Sequence, residues 1–282
     1  MKVFVTGATG QLGHDVCREL ERRGVDHRGA GSRELDITDA AAVAGLLEDY
    51  APDTVIHCAA WTKVDAAEDD RAGCWAVNAA GTAHIAAACA AVGAKLLYVS
   101  TDYVFPGTGE AAWKTTDAAG PLSVYGKSKL AGELAVETLL KRYFIVRISW
   151  VFGKNGGNFV KTMLRLSETK TELGVVADQI GSPTYTADLA PLLCDMIETE
   201  KYGVYHAANE GECSWAELAE ETFRLAGRAV TVRRLTTEQY PAKAPRPKNS
   251  RLDKSGLAAA GFAPLPDWHD ALERYLKEIG AV

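Results

Sequence analysis

The stretch KVFVTGATGQLG, residues 2–13, decides the fold. A short β-rich run leads into a loop carrying Gly7, Gly10 and Gly13, and the loop opens a helical pattern. Leu12, Val16 and Leu20 recur every fourth residue, so one stripe of that helix faces a core. Gly24 stands where a helix C-terminus favours glycine. Glycines between a strand and a helix let the chain turn tightly and let backbone approach a pyrophosphate. The helix N-terminus then offers free N–H groups and positive dipole character. The spacing is G-x-x-G-x-x-G, not the G-x-G-x-x-G of the dinucleotide fingerprint, so a turn without a ligand stays open as an alternative.

Outward from this unit, DTVIHCAA (53–60), KLLYVST (95–101) and YFIVRIS (143–149) are nearly continuous apolar runs. Strands buried on both faces read this way, which means a parallel sheet covered by helices. An alanine-rich helical segment, roughly 74–92, lies between the first two. The alternation of strand and helix through about residue 150 predicts an α/β fold: a doubly wound, Rossmann-like parallel sheet. After Trp150 the pattern loosens into a GKNGGN loop (153–158), a helix around 158–168 and a last quarter broken by Pro241, Pro245, Pro247 and Pro264. We therefore expect a dinucleotide-binding domain over 1–150. A smaller, irregular C-terminal substrate domain is expected over 151–282, with segments returning to the first.

Composition narrows the function. With 31 basic and 37 acidic residues the formal net charge is −6, which argues against a nucleic-acid surface. No apolar run approaches bilayer-spanning length, and a strand starting at Lys2 leaves no room for a signal peptide, so a cytoplasmic protein without membrane partners is expected. The six cysteines, at 17, 58, 74, 89, 194 and 213, form no C-x-x-C pair and read as buried thiols. The second strand is expected to end near Gly31, followed by Ser32 and Arg33. A guanidinium there suits a 2′-phosphate, so NADPH is expected to bind at least as well as NADH. Asp36 could meet the adenine edge or could cap a helix beginning at Thr38.

SVYGKSKLAGE (123–133) places Tyr125 and Lys129 four apart, on one helix face. A free phenol exchanges its proton near pH 10; a neighbouring cation stabilises phenolate, and the pair becomes a general acid/base. Ser100 and Thr101 end a predicted parallel strand, where open α/β sheets bind ligands.

Together GATGQLG (7–13), LDIT (35–38), HCAAWTKVDAAE (57–68), VNAAG (77–81), STDYVFPG (100–107), YGKSKLAGE (125–133), RISWVFG (147–153) and DQIGSPTYTADLA (178–190) resemble the extended short-chain dehydrogenase/reductase family. STDYVF and GSPTYT draw the likeness toward its reductases of dTDP-linked 4-keto-6-deoxysugars. The resemblance implies a catalytic set of Thr101, Tyr125 and Lys129. It runs Gly10, Gln11 and Leu12 along the cofactor pyrophosphate, with Asp36 and Ile37 toward the adenine. It places Ala59, Ala60 and Thr62 on the ribose and nicotinamide side. It gives the sugar to Val64, Thr101, Asp102, Tyr103 and Trp150, the last stacking on the ring, and makes Asn158 and Arg246 candidates for the diphosphate. It also implies a homodimer, in some members with a divalent cation; Asp15 is the sole counterpart of that ligand and no metal is expected. The same family leaves open another nucleotide-sugar reductase, an epimerase, or a non-catalytic regulatory subunit of methionine adenosyltransferase.

Overall fold

The computed structural model describes all of residues 1–282. The chain opens with β1 (Lys2–Thr6), α1 (Gln11–Arg22), β2 (Asp26–Ala30), α2 (Ala40–Tyr50) and β3 (Thr54–His57). It continues through α3 (Val64–Asp69), α4 (Arg71–Trp75), α5 (Thr82–Val92), β4 (Lys95–Thr101), α6 (Val124–Leu139) and β5 (Tyr143–Ile148). These strands are joined by a sixth from late in the chain, in the order β2, β1, β3, β4, β5 and then Gly203–His206, every neighbouring pair parallel.

The apolar runs explain why both faces are covered. Val3 and Val5 point to one core with Leu12, Val16 and Leu20 of α1. Phe4 points to the other, with Leu47 of α2, Ile85 of α5 and Val136 of α6. The fold is a doubly wound α/β sheet. Its strand order runs one way from β1 to β2 and the other from β1 through β3, β4 and β5. That reversal leaves a crevice at the carboxyl ends of β1 and β3.

The second half adds β6 (Val151–Phe152), α7 (Phe159–Ser167), β7 (Glu172–Val176), β8 (Ile180–Gly181), β9 (Thr184–Tyr185) and α8 (Thr186–Ile197). After it come β10 (Gly203–His206), β11 (Cys213–Ser214), α9 (Trp215–Leu225), β12 (Thr231–Leu235), β13 (Asn249–Ser250), α10 (Ser255–Ala259) and α11 (Trp268–Glu278). β10 is the sixth strand of the central sheet, and Leu189 and Leu193 of α8 pack into the same core as α1. The other strands form small sheets of two or three around a separate core that includes Phe152, Val160, Tyr185, Leu218 and Tyr275.

Three local readings need correction. The alanine-rich helix starts earlier, at Arg71, and carries a π-helical turn over Ala76–Gly81. In that turn, Asn78 donates to Trp61 O and Ser128 Oγ and accepts from Trp61 N, which gives the widened turn a polar purpose. The helix Arg71–Val92 runs 22 residues, and an 18-residue window within it has a mean hydropathy of 1.3, so by length and composition alone it reaches what a bilayer span needs. It packs beneath the sheet, with Ile85 and Cys89 wholly buried. Finally, α2 begins at Ala40 and not at Thr38, because Asp39 is its cap and Asp36 spends its carboxylate on Thr38 N and Oγ1 at 2.9 and 2.7 Å.

α1 rests directly on the glycine loop. A Cβ at Gly13 would stand 2.2 Å from Gly7 O, and Leu12, Val16 and Leu20 keep the helix from retreating. Gly13→Ala should therefore cost about 1–3 kcal/mol in urea unfolding. Gly45→Ala in α2, where nothing lies within 4 Å, should be neutral or stabilising by about 0.5–1 kcal/mol.

Candidate active site

A cleft of about 740 Å³ opens at the carboxyl ends of β1, β3, β4 and β5, between the sheet and the second half of the chain. Backbone forms its floor. Gly7 adopts φ +66° and approaches β3 so closely that a Cβ would meet Ala59 N at 2.7 Å. Gly10 is the N-cap residue of α1; no side chain caps the helix and no acid sits in its first turn. That is an open, positively polarised helix start, suited to a phosphate.

Polar side chains around the loop are largely engaged with one another. Gln11 Oε1 accepts from Gly153 N and Asn158 Nδ2, both at 3.0 Å, so its carbonyl oxygen is already engaged. Asn158 caps α7 through Lys161 N and divides its Nδ2 among Gln11, Gly153 O and Tyr275 O–H. It lines the cleft, but the free amide expected for a diphosphate is spent on joining the two halves. Ser32, Asp36 and Ile37 line the cleft beyond β2, whereas Arg33 is exposed, makes no ion pair and stands outside the lining. Ala59, Ala60, Thr62 and Val64 line it after β3. Asp15 lies away from the cleft, buried against α8, and accepts from Thr186 Oγ1 at 2.5 Å.

Ser123 sets the start of α6 by accepting from Gly126 N at 3.1 Å. Gly126 permits the close approach: a Cβ there would lie 2.3 Å from Tyr103 O. The first turns of α6 are thereby held under the end of β4. Tyr125 and Lys129 are both buried, and Tyr125 lines the cleft together with Thr101. Lys129 Nζ donates to Val99 O at 2.7 Å and lies 4.1 Å from the centre of the Tyr98 ring.

This burial reverses one expectation. Desolvation pushes the Tyr125 phenol far above its ordinary value, Asp102, Tyr103 and Cys74 add to it, and only the Thr101 hydrogen bond opposes. Burial outweighs the lowering that the four-residue spacing to Lys129 led one to expect. The Lys129 ammonium itself is pushed down to about 7 by burial, with Glu133 opposing. The tyrosine is held as a protonated acid.

Asp102 is buried beside Thr101, whose hydroxyl donates to its Oδ1 at 3.0 Å. Its Oδ2 faces Ser250 Oγ of β13, short of hydrogen-bond geometry, and neither atom has another partner. Burial pushes this carboxyl up to about 6. Tyr103 packs edge-on against Tyr125 at 5.5 Å. Arg246 donates to the Tyr103 hydroxyl at 3.1 Å and to Asp65 Oδ2 at 2.6 Å, so the diphosphate candidate stands at the cleft's edge already paired. Trp150 takes φ +49° and stacks on Trp215 at 3.8 Å, so one ring face expected for a sugar is covered by another indole. Trp215 and Glu133 escaped the sequence reading; a charge one helical turn beyond Lys129 was the available signal for the latter.

A family model described as RmlD substrate binding domain matches residues 1–281. The chain belongs to the RmlD family. It is 46% identical over 276 residues to dTDP-4-dehydrorhamnose reductase of Streptomyces griseus, covering 95% of this chain and 91% of that one. It is 41% identical to the spore coat polysaccharide biosynthesis protein SpsK of Bacillus subtilis, over 98% of this chain and 97% of that one. Among solved structures, dTDP-4-dehydrorhamnose reductase of Bacillus anthracis in complex with NADP superposes with a TM-score of 0.96 at 45% identity, covering 99% of this chain and 100% of that chain.

Asp102 yields a pH test of this RmlD-family site. A carboxyl raised from 3.8 to about 6 keeps its proton in the folded state after the unfolded chain has released it. Its contribution is therefore present at low pH and lost as pH rises through about 6. Between pH 4 and 7 the wild type should lose about 2–3 kcal/mol of unfolding free energy relative to Asp102→Asn, measured by urea titration at each pH. A pH-independent difference would contradict the burial argument.

Proposed function

We propose that the chain reduces the 4-keto group of dTDP-4-dehydro-L-rhamnose to give dTDP-L-rhamnose, with NADPH as reductant, in deoxysugar biosynthesis. The observation that carries this reading is that Tyr125, held protonated by burial, and Thr101 at the end of β4 line the same cleft as the uncapped start of α1. The named reductases among its relatives and the NADP in the Bacillus anthracis structure support the choice of substrate and cofactor.

The residues fit such a cofactor: the loop of Gly7, Gly10 and Gly13 offers backbone where any Cβ would intrude, and the helix start lacks an anion of its own. Backbone at Gly10, Gln11 and Leu12 would hold the pyrophosphate, Asp36 and Ile37 the adenine side, and Ala59, Ala60 and Thr62 the ribose and nicotinamide side. When bound, NADPH supplies the hydride. Thr101 positions the ketone oxygen, and Tyr125 gives that oxygen the proton that completes the new hydroxyl. A buried phenol suits this direction of reaction, because the acid form is the stable one. Lys129 holds the nicotinamide ribose. The sugar lies against Val64, Asp102, Tyr103 and Trp150, and Arg246 exchanges Asp65 for the diphosphate. We assign the cofactor and the sugar-facing side chains to residues 1–150 and the diphosphate side of the sugar nucleotide to 151–282, in a cytoplasmic homodimer.

Steady-state NADPH oxidation with the keto-sugar nucleotide tests the reading. Stoichiometric oxidation supports it, whereas interconversion of sugars with no net oxidation would identify an epimerase. Tyr125→Phe should lower kcat by about 10²–10⁴-fold while the Kd for NADPH changes little. Arg33→Ala should raise the KM for NADPH more than that for NADH; an equal effect on both would remove Arg33 from 2′-phosphate recognition.

A further inference from the structure

Tyr125, Lys129 and Glu133 follow one another at four-residue steps along the buried face of α6. Glu133 is 2% exposed, and its partners come from two strands. Oε1 accepts from Ser100 Oγ of β4 at 2.5 Å and from Arg147 Nε of β5 at 2.9 Å; Oε2 accepts from Arg147 Nη2 at 2.7 Å. Lys129 meanwhile donates to Val99 O. Helix α6 is thus tied to two consecutive residues of β4, Val99 and Ser100, immediately before Thr101.

The charges around Lys129 single out the same residue. Besides Glu133, the titratable groups facing it are His57 and Cys58 at the end of β3, Tyr98 of β4, Cys74 of α4 and Tyr125 of its own helix. Burial pushes His57 down to about 3, so the imidazole is neutral at neutral pH. Burial likewise pushes the Cys58 and Cys74 thiols and the Tyr98 and Tyr125 phenols up, so they are neutral as well. Glu133 is the carboxylate of the group; its direct ion pair is with Arg147 at 2.7 Å, and it acts on Lys129 from one helical turn away without a direct contact.

We propose that Glu133 is a positioning residue for the reduction: its carboxylate is the counter-charge of the Lys129 ammonium and, through Ser100 and Arg147, fixes α6 against the strand end that carries Thr101. The inference rests on the roles given above to Lys129 and Thr101. A buried ion pair that served packing alone would be replaceable by apolar groups of similar volume. A counter-charge would not.

The experiment measures NADPH binding by fluorescence from pH 6 to 10, together with kcat, for the wild type, Glu133→Gln, the paired variant Glu133→Gln/Arg147→Met, and Lys129→Met. In the wild type, binding weakens at alkaline pH as Lys129 loses its proton, and Lys129→Met abolishes this dependence. In both Glu133 variants the midpoint should move about one pH unit toward acid, and kcat at pH 7 should fall about tenfold. The paired variant removes the Glu133–Arg147 ion pair as a unit, so Arg147 is not left buried without a partner while Lys129 still loses its counter-charge, which separates electrostatics from loss of fold. A midpoint and kcat restored to wild type in the paired variant would reduce Glu133 to a packing element and overturn the inference. So would an alkaline limb that survives in Lys129→Met. A wild type that binds no NADPH at any pH would instead remove the functional reading beneath it.

Discussion

Desolvation of one phenol and one amine on the same helix governs this site. Burial penalises whichever form carries charge, so it moves Tyr125 and Lys129 in opposite directions, away from phenolate and away from ammonium. At four-residue spacing in water the pair would attract and the phenol would acidify. Inside this fold the low dielectric acts first. The consequence is an acid that keeps its proton until an acceptor oxygen arrives, and a base whose charge is favoured chiefly by the Glu133 carboxylate one helical turn away.

The placement that enforces burial is built from small residues. Gly126 lets α6 touch the backbone of Tyr103, and Gly132 lets it lie under Tyr98, where a Cβ would come within 2.5 Å of the ring hydroxyl. Gly7 and Gly13 do the same for α1 and β3 on the far side of the cleft. Side chains are therefore absent at two closest approaches, one where a proton is held and one where an anion fits. The polar side chains at the rim serve each other: Gln11 with Asn158, Arg246 with Asp65 and Tyr103. Ligand entry at the rim is an exchange of partners and not the filling of vacant groups.

Much of this was legible in the sequence because it is local. The β1–loop–α1 unit, the apolar strands and the Tyr125 and Lys129 spacing each lie within about a dozen residues and follow from periodicity and glycine chemistry. Strand order placed Thr101 at a ligand-binding edge. What escaped depends on distant pairings. Asp65 and Arg246 are 181 positions apart, and Gln11 and Asn158 are 147 apart. Nothing in either stretch shows that the second residue's polar atoms are already taken. The sign of the Tyr125 shift escaped for a related reason: spacing reports the neighbour's charge, whereas burial is a property of the assembled layers. The π-helical turn at Ala76–Gly81 is likewise set by Asn78 reaching Trp61 and Ser128 across the fold.

The central claim is that burial, and not the neighbouring lysine, sets the protonation of the phenol. Its most direct test is the titration of Tyr125 itself in the ligand-free protein, followed by NMR with tyrosine labelled at ¹³Cζ and the signal assigned by its loss in Tyr125→Phe. The account predicts a Tyr125 signal that stays in the phenol position at a pH where a free tyrosine has already ionised. A Tyr125 signal that moves to the phenolate position about two pH units below a free tyrosine would contradict it.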